Sequence, residues 1–579
     1  MFKRIKAVFV LASLGAIAGF IYGTCTCMSV NPVLANRYIQ NGLYGLFFDS
    51  IKTHTNQWTL IGVGVVLAVA LVFCLLQAVL ACTIKRKPDI CSPIFGVLTR
   101  LSAQKFFLGV TLTVVTVLIS LNFYLVTDRP NIIMISIDTL RADHLSCYGY
   151  DKNTSPNIDR FAGKATLFKN CFIPMPWTLP SHISMLTSLY PITHGVQGWV
   201  KMPSAITTLP EYLKNDGFVT VGLASDGWMR PWFGFNEGFD EYFYELEGFS
   251  PDNPERNAEH LNLVLDKALN KYRDKNLFLF IHYFDVHSDK KQLPYDAPPT
   301  YKEQFSSRYD GEFSGGDGKL SASLYLKHLN KNHLLLSKKD RDYIASLYDN
   351  GIRYMDACIG DLFAILKRRG LYDNSLIILT SDHREEFQEH GYMLHSNPFY
   401  YDELMKVPLI IKWPETETRF SLGEKVDFLV ESIDIMPSIL EYLNLKPKQI
   451  QGQSFLNTIQ GNSSAKKYIY GFGVPDSTIL DVKSFMIRSE SRKLVKMEKG
   501  TQRMSKLFNL ENDSREQADI VDSSRKESKQ LEEKLQIKIN ESLELRTQIL
   551  SSQAQKTSEP TTIIPKDAQE RLKSLGYLQ

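Results

Sequence analysis

The chain has 579 residues, 22% of them charged, and a formal net charge of +3, so no global field recruits nucleic acid or a membrane surface. That length holds a membrane region plus one large domain or two smaller ones. Of eight cysteines only Cys147, Cys171 and Cys358 lie beyond the first 126 residues, without metal-ligand spacing, so no disulfide framework is indicated and at most one bridge forms there.

Three apolar stretches come first, Ala7 to Tyr22, Leu60 to Ile84 and Phe106 to Val126. The second and third are long enough to cross about 30 Å of hydrocarbon. The first is shorter, but no small-residue cleavage site follows it, which favours an uncleaved span over a signal peptide. Lys3, Arg4 and Lys6 precede it, and Lys85, Arg86, Lys87, Arg100 and Lys105 separate the other two, whereas the loop from Thr24 to Gln57 holds only Arg37 and Lys52. The positive-inside bias puts the N-terminus in the cytoplasm and, with three spans, everything after Thr127 outside it. Two spans behind a cleaved signal peptide would change that topology.

From Pro130 onward short apolar runs alternate with helical patterns. "NIIMISID" (131–138), "GFVTVGLASD" (217–226), "NLFLFIHYFD" (276–285), "SLIILTSD" (375–382) and "VPLIIKW" (407–413) read as strands buried on both faces. An amphipathic helix is predicted from Lys339 to Arg369. The alternation predicts an α/β sandwich around a mostly parallel sheet. Four of these strands end in an acid, Asp138, Asp226, Asp285 and Asp382. Ligands of such sheets bind beyond the carboxyl ends of the strands, although a terminal Asp also caps a following helix. After Pro414 the pattern changes to a helix ("SIDIMPSILEYLNL"), strands of a smaller antiparallel unit ("YIYGFG", "FMIRSESRKLVKM"), a polar surface or packing helix over 513–550, a linker and a short tail.

The residues able to do chemistry cluster at those strand ends. "TSDHREEFQEHGYMLH" sets Asp382 beside His383, with His395 twelve residues further on; "IHYFDVHSD" supplies Asp285 and His287. An adjacent Asp and His can offer one oxygen and one nitrogen to a single cation. That mixed set suits zinc or manganese, and a carboxylate-rich version suits calcium or magnesium. In "PWTLPSHISML", Thr178 precedes a helix predicted to begin near Ser181. It reads either as a cap or as a nucleophile, since a hydroxyl is activated by coordination to a divalent metal and helix amides favour an anion. His144, His194 and His390 read as structural. Glu385, Glu386 and Glu389 read as a solvated face, with one of them able to orient His383.

"NIIMISIDTLRADHLSCYGYDKNTSPNIDRFAGKATLFKNCFIPMPWTLPSHISMLTSLYPITHGV" resembles the catalytic region of the sulfatase family, within the alkaline phosphatase superfamily. The resemblance continues through "HYFDVH", "YDNGIRYMDACIGDLFAILKRRGLYDNSLIILTSDH", "YYDELMKVPLIIKWP" and "KLFNLENDSREQADI", about 130–520. It implies an alkaline-phosphatase-like sandwich, a metal held by Asp138, Thr178, Asp382 and His383, Thr178 at the nucleophile position and His287 at a substrate-contacting His. The departures matter. Thr replaces the Cys or Ser that sulfatases oxidise to an aldehyde, and His182 replaces the Arg of the same motif. "SDGWMRPWFGF" lacks the family's Lys and His, Thr139 replaces a second Asp, and Arg384 replaces a Gly.

An unmodified Thr is similar to the superfamily's phosphoryl-transfer branches, in which a His at the spacing of His395 approaches a second metal. The expectation is a metal-dependent hydrolase or transferase of phosphate or sulfate esters, one or two ions, with His182, Asp285, His287 and His395 as second-metal or substrate ligands. The substrate would be an envelope lipid or glycan. A sulfatase of the usual type and a non-catalytic binding domain are the alternatives. The organisation read from the sequence is a membrane region of about three transmembrane helices (1–127), a catalytic core (128–415), its C-terminal part with the small sheet (416–512), and helix, linker and tail (513–579). It implies a bacterial inner-membrane protein whose catalytic domain faces the periplasm or the cell exterior.

Overall fold

The computed structural model describes residues 129–554, except 199, 226, 245–256, 274, 289–292, 307–308, 314, 316–321, 396 and 474–481. The three apolar stretches, Asp226 and the C-terminal tail lie outside the described residues. Among those described, no helix is long and apolar enough to cross a membrane.

The large sheet is built from β1 (Asn131–Ile137), β2 (Thr166–Phe172), β3 (Val219–Ala224), β4 (Glu241–Phe243), β5 (Leu277–Tyr283) and β6 (Ser375–Thr380). After a small ribbon, β7 (Glu386–Phe387) and β8 (Met393–Leu394), come β9 (Lys406–Lys412), β10 (Lys425–Val426) and β11 (Val430–Glu431). The order across the sheet is β10-β2-β9-β6-β1-β5-β3-β4, with β11 continuing along β2. Only β9 runs against its neighbours, so the sheet is mostly parallel, as the buried apolar runs predict. Strands β10 and β11 lie beyond residue 415, so the large sheet draws on both sides of that boundary.

Parity assigns the two faces. Ile132 and Met134, Phe278 and Phe280, and Leu376 and Ile378 enter one core with Leu179, Ile183 and Leu186 of the helix Thr178–Thr187. Their alternates Ile133, Ile135, Leu279, Ile281, Ile377 and Leu379 enter the other, against the long helix Lys338–Arg368. A strand's side chains alternate with period 2. Ser136, paired with His282 on one side and Thr380 on the other, therefore lies on the face of the Thr178 helix.

The C-terminal part is an antiparallel sheet of β12 (Ile469–Gly473), β13 (Lys483–Arg488), β14 (Arg492–Lys499) and β15 (Gln502–Asn509). Helix Arg525–Ala554 packs on it through Leu531 and Leu535, which join Ile487, Leu494, Leu507 and Tyr190 in a third apolar cluster. It is thus a packing helix, and Leu543, at its exposed face, is 45% accessible. Buried Lys493 ties this sheet to the short helix Asp402–Met405 before β9 through Asp402 (2.9 Å), and it also pairs with Glu516 beyond β15 (2.7 Å).

His194 is structural, and its geometry makes a prediction. Its Nδ1 accepts from Val196 N–H at 3.0 Å, so Nε2 carries the proton and donates to Ser184 Oγ, also 3.0 Å away. Burial, reinforced by nearby Arg546, pushes its pKa down to about 3. The unfolded chain takes up a proton below about pH 6.5 while the folded one refuses it until about pH 3. Stability therefore falls as pH drops through that window, by at most about 5 kcal/mol from this residue. His194→Asn keeps an acceptor for Val196. Denaturant titrations of this variant at pH 7 and pH 4 should differ less than those of the wild type; an equal difference would refute the assignment.

Candidate active site

The helix starts at Thr178 rather than near Ser181. Trp177 is its extended N-cap residue and makes no side-chain cap bond, so Thr178 occupies the first helical position and its hydroxyl does not cap. Its Oγ1 instead lies 3.3 Å from His383 Nε2. That nitrogen is 3.7 Å from Asp138 Oδ1 and 3.5 Å from Asp382 Oδ2. Asp138 follows β1 and Asp382 follows β6, and all four residues are buried. Sequence positions 138, 178, 382 and 383 are thus brought together at the carboxyl end of adjacent strands, where an open α/β sheet binds its ligands.

The turns that carry these groups are tightly held. Asp382 Oδ1 accepts from His383 N–H (2.9 Å) and Thr139 N–H (3.3 Å), leaving Oδ2 buried without a hydrogen bond. Ser181 Oγ donates to the Asp382 carbonyl at 2.6 Å, locking the Thr178 helix to the Asp-His turn. Thr139 is left-handed at φ 56°, a costly conformation for a β-branched residue. Tyr348 from the long helix holds that turn, donating to Thr139 O and accepting from Arg141 N–H. Arg141 donates to the Glu385 carbonyl and pairs with Asp143 and Glu389, and Arg384 pairs with Asp143.

Beneath the cluster, His182 Nδ1 donates to Thr178 O (2.9 Å) and Nε2 accepts from Ser136 Oγ (2.9 Å). His282 Nε2 lies 3.3 Å from Asp138 Oδ2. On the other side of His383, at a ring distance of 4.6 Å, stands His395. Its Nδ1 is 3.4 Å from Glu385 Oε1, and His287 lies 5.4 Å from it ring to ring. Three donor sets follow: Asp138, Asp382 and His383; His182, His282 and Asp382; and His287, Glu385 and His395, each with ligand atoms within 4.8 Å of one another.

Burial dominates the electrostatics. It pushes His182, His282 and His383 below the ordinary imidazole range, with Asp382 opposing the shift at His182 and His395 adding to it at His383. It raises Asp382, against the pull of His182. Neutral imidazoles are the ligating form. The buried Asp382 oxygen with no bond of its own, set among a second carboxylate and a neutral imidazole, is the donor set a divalent cation completes. The residues fit such an ion.

Two sequence readings change. Asp285 does not join the cluster: its Oδ1 accepts from Ala258 N–H (3.4 Å) at the start of the helix Asn257–Leu269. Glu385 and Glu386 are buried and not a solvated face: Ser288 Oγ donates to Glu385 Oε1 (3.0 Å), and Asn397 donates to Oε1 of Glu386, which lies in β7 itself (3.2 Å). His282, which the sequence reading did not single out, is fully buried against Asp138. Its signal was a lone imidazole in the apolar strand "LFLFIHY" with the parity of Phe278 and Phe280.

A strand-end cluster of two carboxylates, imidazoles and a helix-borne hydroxyl on a mostly parallel sheet stands where open α/β sheets bind their ligands. The profile described as "Sulfatase" matches residues 130–445, and one described as "N-sulphoglucosamine sulphohydrolase, C-terminal" matches 388–544. The chain belongs to the sulfatase family of the alkaline phosphatase superfamily and is a hydrolase. It is similar to an arylsulfatase of Clostridium perfringens (23% identity, covering 68% of this chain and 91% of the other). It is also similar to human iduronate 2-sulfatase (25%, covering 54% and 65%). Among solved structures it superposes on a phosphonate monoester hydrolase of Agrobacterium radiobacter with a TM-score of 0.57 at 18% identity, covering 73% and 96%. It also matches a 2-O glycosaminoglycan sulfatase, BT1596, at 0.58 and 17%, covering 72% and 92%.

Proposed function

We propose that the protein hydrolyses sulfate, phosphate or phosphonate esters with Thr178 as nucleophile, beside a divalent cation held by Asp138, Asp382 and His383. The observation that carries this is the Thr178 hydroxyl, buried on the first turn of a helix and 3.3 Å from His383 Nε2. A bound divalent cation lowers a hydroxyl's pKa and neutralises charge on the ester oxygens. Thr178 Oγ1 passes its proton to water as it attacks sulfur or phosphorus, and the bond to the ester oxygen breaks, that oxygen taking a proton from water and leaving as the alcohol; a second water then cleaves the threonyl ester, returning the Thr178 hydroxyl and releasing the free acid anion. The helix amides around Thr178 face the developing negative charge. Thr cannot yield the aldehyde of the usual sulfatase nucleophile, which favours direct attack by the hydroxyl.

His287, Glu385 and His395 form the donor set for a second ion or for the substrate's anion, and His182 steadies Thr178 from below. The three N-terminal apolar stretches anchor the enzyme in a bacterial inner membrane, with this domain outside the cytoplasm. Its substrate there is an envelope lipid or glycan, and transfer to an acceptor hydroxyl is the variant reaction.

Intact mass after a pulse with aryl sulfate, aryl phosphate and aryl phosphonate tests the reading. A metal-dependent adduct on Thr178, about 80 Da for sulfate or phosphate, is expected from covalent catalysis. Turnover without any Thr178 adduct, even under rapid quench, would count against it.

A further inference from the structure

The loop after β3 holds a buried cation that no acid among the described residues pairs with. Arg230 is 7% exposed and sits between the helical turns Gly227–Met229 and Pro231–Phe233. Its Nε donates to Tyr244 OH at 2.7 Å, and its guanidinium lies 5.8 Å from that ring. Nη2 is buried with no hydrogen-bond partner, and no ion pair to Arg230 occurs among the described residues. Two residues on, Trp232 Nε1 is likewise a buried donor without an acceptor. A desolvated guanidinium is expensive unless a counter-charge meets it, and one ring face offsets only part of that cost.

Position gives this orphan charge a meaning. Strand β3 ends at Ala224, paired in register with His282. The following turn brings Trp228 edge-on to Trp177, the residue before Thr178, at 4.8 Å. The loop therefore borders the Thr178 cluster at the carboxyl end of the sheet. Among the described residues that cluster contributes carboxylates (Asp138, Asp382, Glu385) and imidazoles, without a lysine or arginine in its donor sets. The two nearby guanidiniums, of Arg141 and Arg384, are engaged by Asp143 and Glu389.

We infer that Arg230, assisted by Trp232 Nε1, is an oxyanion-recognition point of the substrate pocket, completed by an anionic oxygen of the ligand. The oxygen belongs either to the reacting ester or to a second acidic group of a polyanionic substrate. Only the identity of the ligand rests on the function proposed above; the anion requirement stands on the burial of Arg230 itself.

Thermal unfolding of the full chain with and without inorganic phosphate or sulfate, for wild type, Arg230→Met and Arg230→Lys, tests it. Arg230→Met should melt at the wild-type temperature or higher in anion-free buffer, because it removes an uncompensated charge. It should also lose most of the anion-induced rise, and its inhibition constant for phosphate should increase about 10-fold or more. Arg230→Lys should fall between. A lower melting temperature for Arg230→Met without anion, with the anion-induced rise intact, would overturn the proposal and make the residue structural. Thr178→Ala should keep the anion response whatever its turnover, so failure of the nucleophile reading stays distinguishable. A parallel fall in kcat/KM for simple aryl esters assigns Arg230 to the reacting ester; unchanged kcat/KM with lost anion binding assigns it to a second acidic group.

Discussion

Thr178→Ala is expected to lower kcat by about 10⁴-fold or more, the scale on which removal of a covalent nucleophile is felt. The fold should survive the change. Thr178 stands at the first helical position, where its hydroxyl makes no cap bond and lies against His383 Nε2. Stability should therefore move little, and metal content should fall only as far as the hydroxyl contributes to the ion. Thr178→Ser keeps the oxygen but loses the methyl that restricts χ1, so a loss within about 10²-fold is expected from imperfect positioning. The informative comparison is between the two variants. Equal losses would mean that the methyl, and not the oxygen, matters. Unchanged turnover in the alanine variant, with a lower melting temperature, would return Thr178 to a purely structural role.

Asp382→Asn should separate the two jobs of one carboxylate. Oδ1 accepts from the His383 and Thr139 amides, while Oδ2 has no hydrogen-bond partner. An asparagine can keep its oxygen toward those amides and offer only an amide nitrogen where Oδ2 stood, which a hard cation does not accept. Turnover should drop by about 10³-fold or more, some 4 kcal/mol of transition-state stabilisation. Chelation should lower the melting temperature of the wild type, since a ligand at about 100 times its Kd stabilises by roughly 2.7 kcal/mol. The variant should be indifferent to the chelator and, once stripped of metal, at least as stable as stripped wild type, because one buried negative charge is gone. If chelation leaves wild-type activity and melting untouched, the three-residue metal reading is wrong.

The strands and the long helix were legible because their signals are local. A near-continuous apolar run such as "NIIMISI" has few other homes, and 31 residues of helix carry their own amphipathic stripe. Asp138, Asp382, His383 and Thr178 were legible through motif order. Asp285 misled because it also closes an apolar run. β5 stops at Tyr283, and in the turn beyond it Asp285 accepts from Ala258 N–H at the start of the Asn257 helix. His282 was passed over for a different reason: its even parity is visible in "LFLFIHY", but which parity faces the Thr178 helix is decided by tertiary packing. Glu385 sits in a charged run that reads as solvent-facing. The return of the chain through the β7–β8 ribbon, in which Glu386 pairs with Leu394, sets it beside His395.

Strand order carries a consequence for how the chain is made. β1, which leads into Asp138, is sandwiched between β5 and β6, and Thr139 meets Asp382 across a sequence separation of 243 residues. At synthesis rates of about 5–20 residues per second, the first strand waits roughly 10–50 s for the partner on its far side. Throughout that interval one edge of a seven-residue apolar strand is unpaired, and non-local pairing of this kind is slow even after the last residue arrives. The nascent chain thus carries an open apolar edge until β6 has been made. Destabilising β6 or β9 should therefore show first as lost yield of soluble domain, before any change in the melting temperature of the protein that does mature.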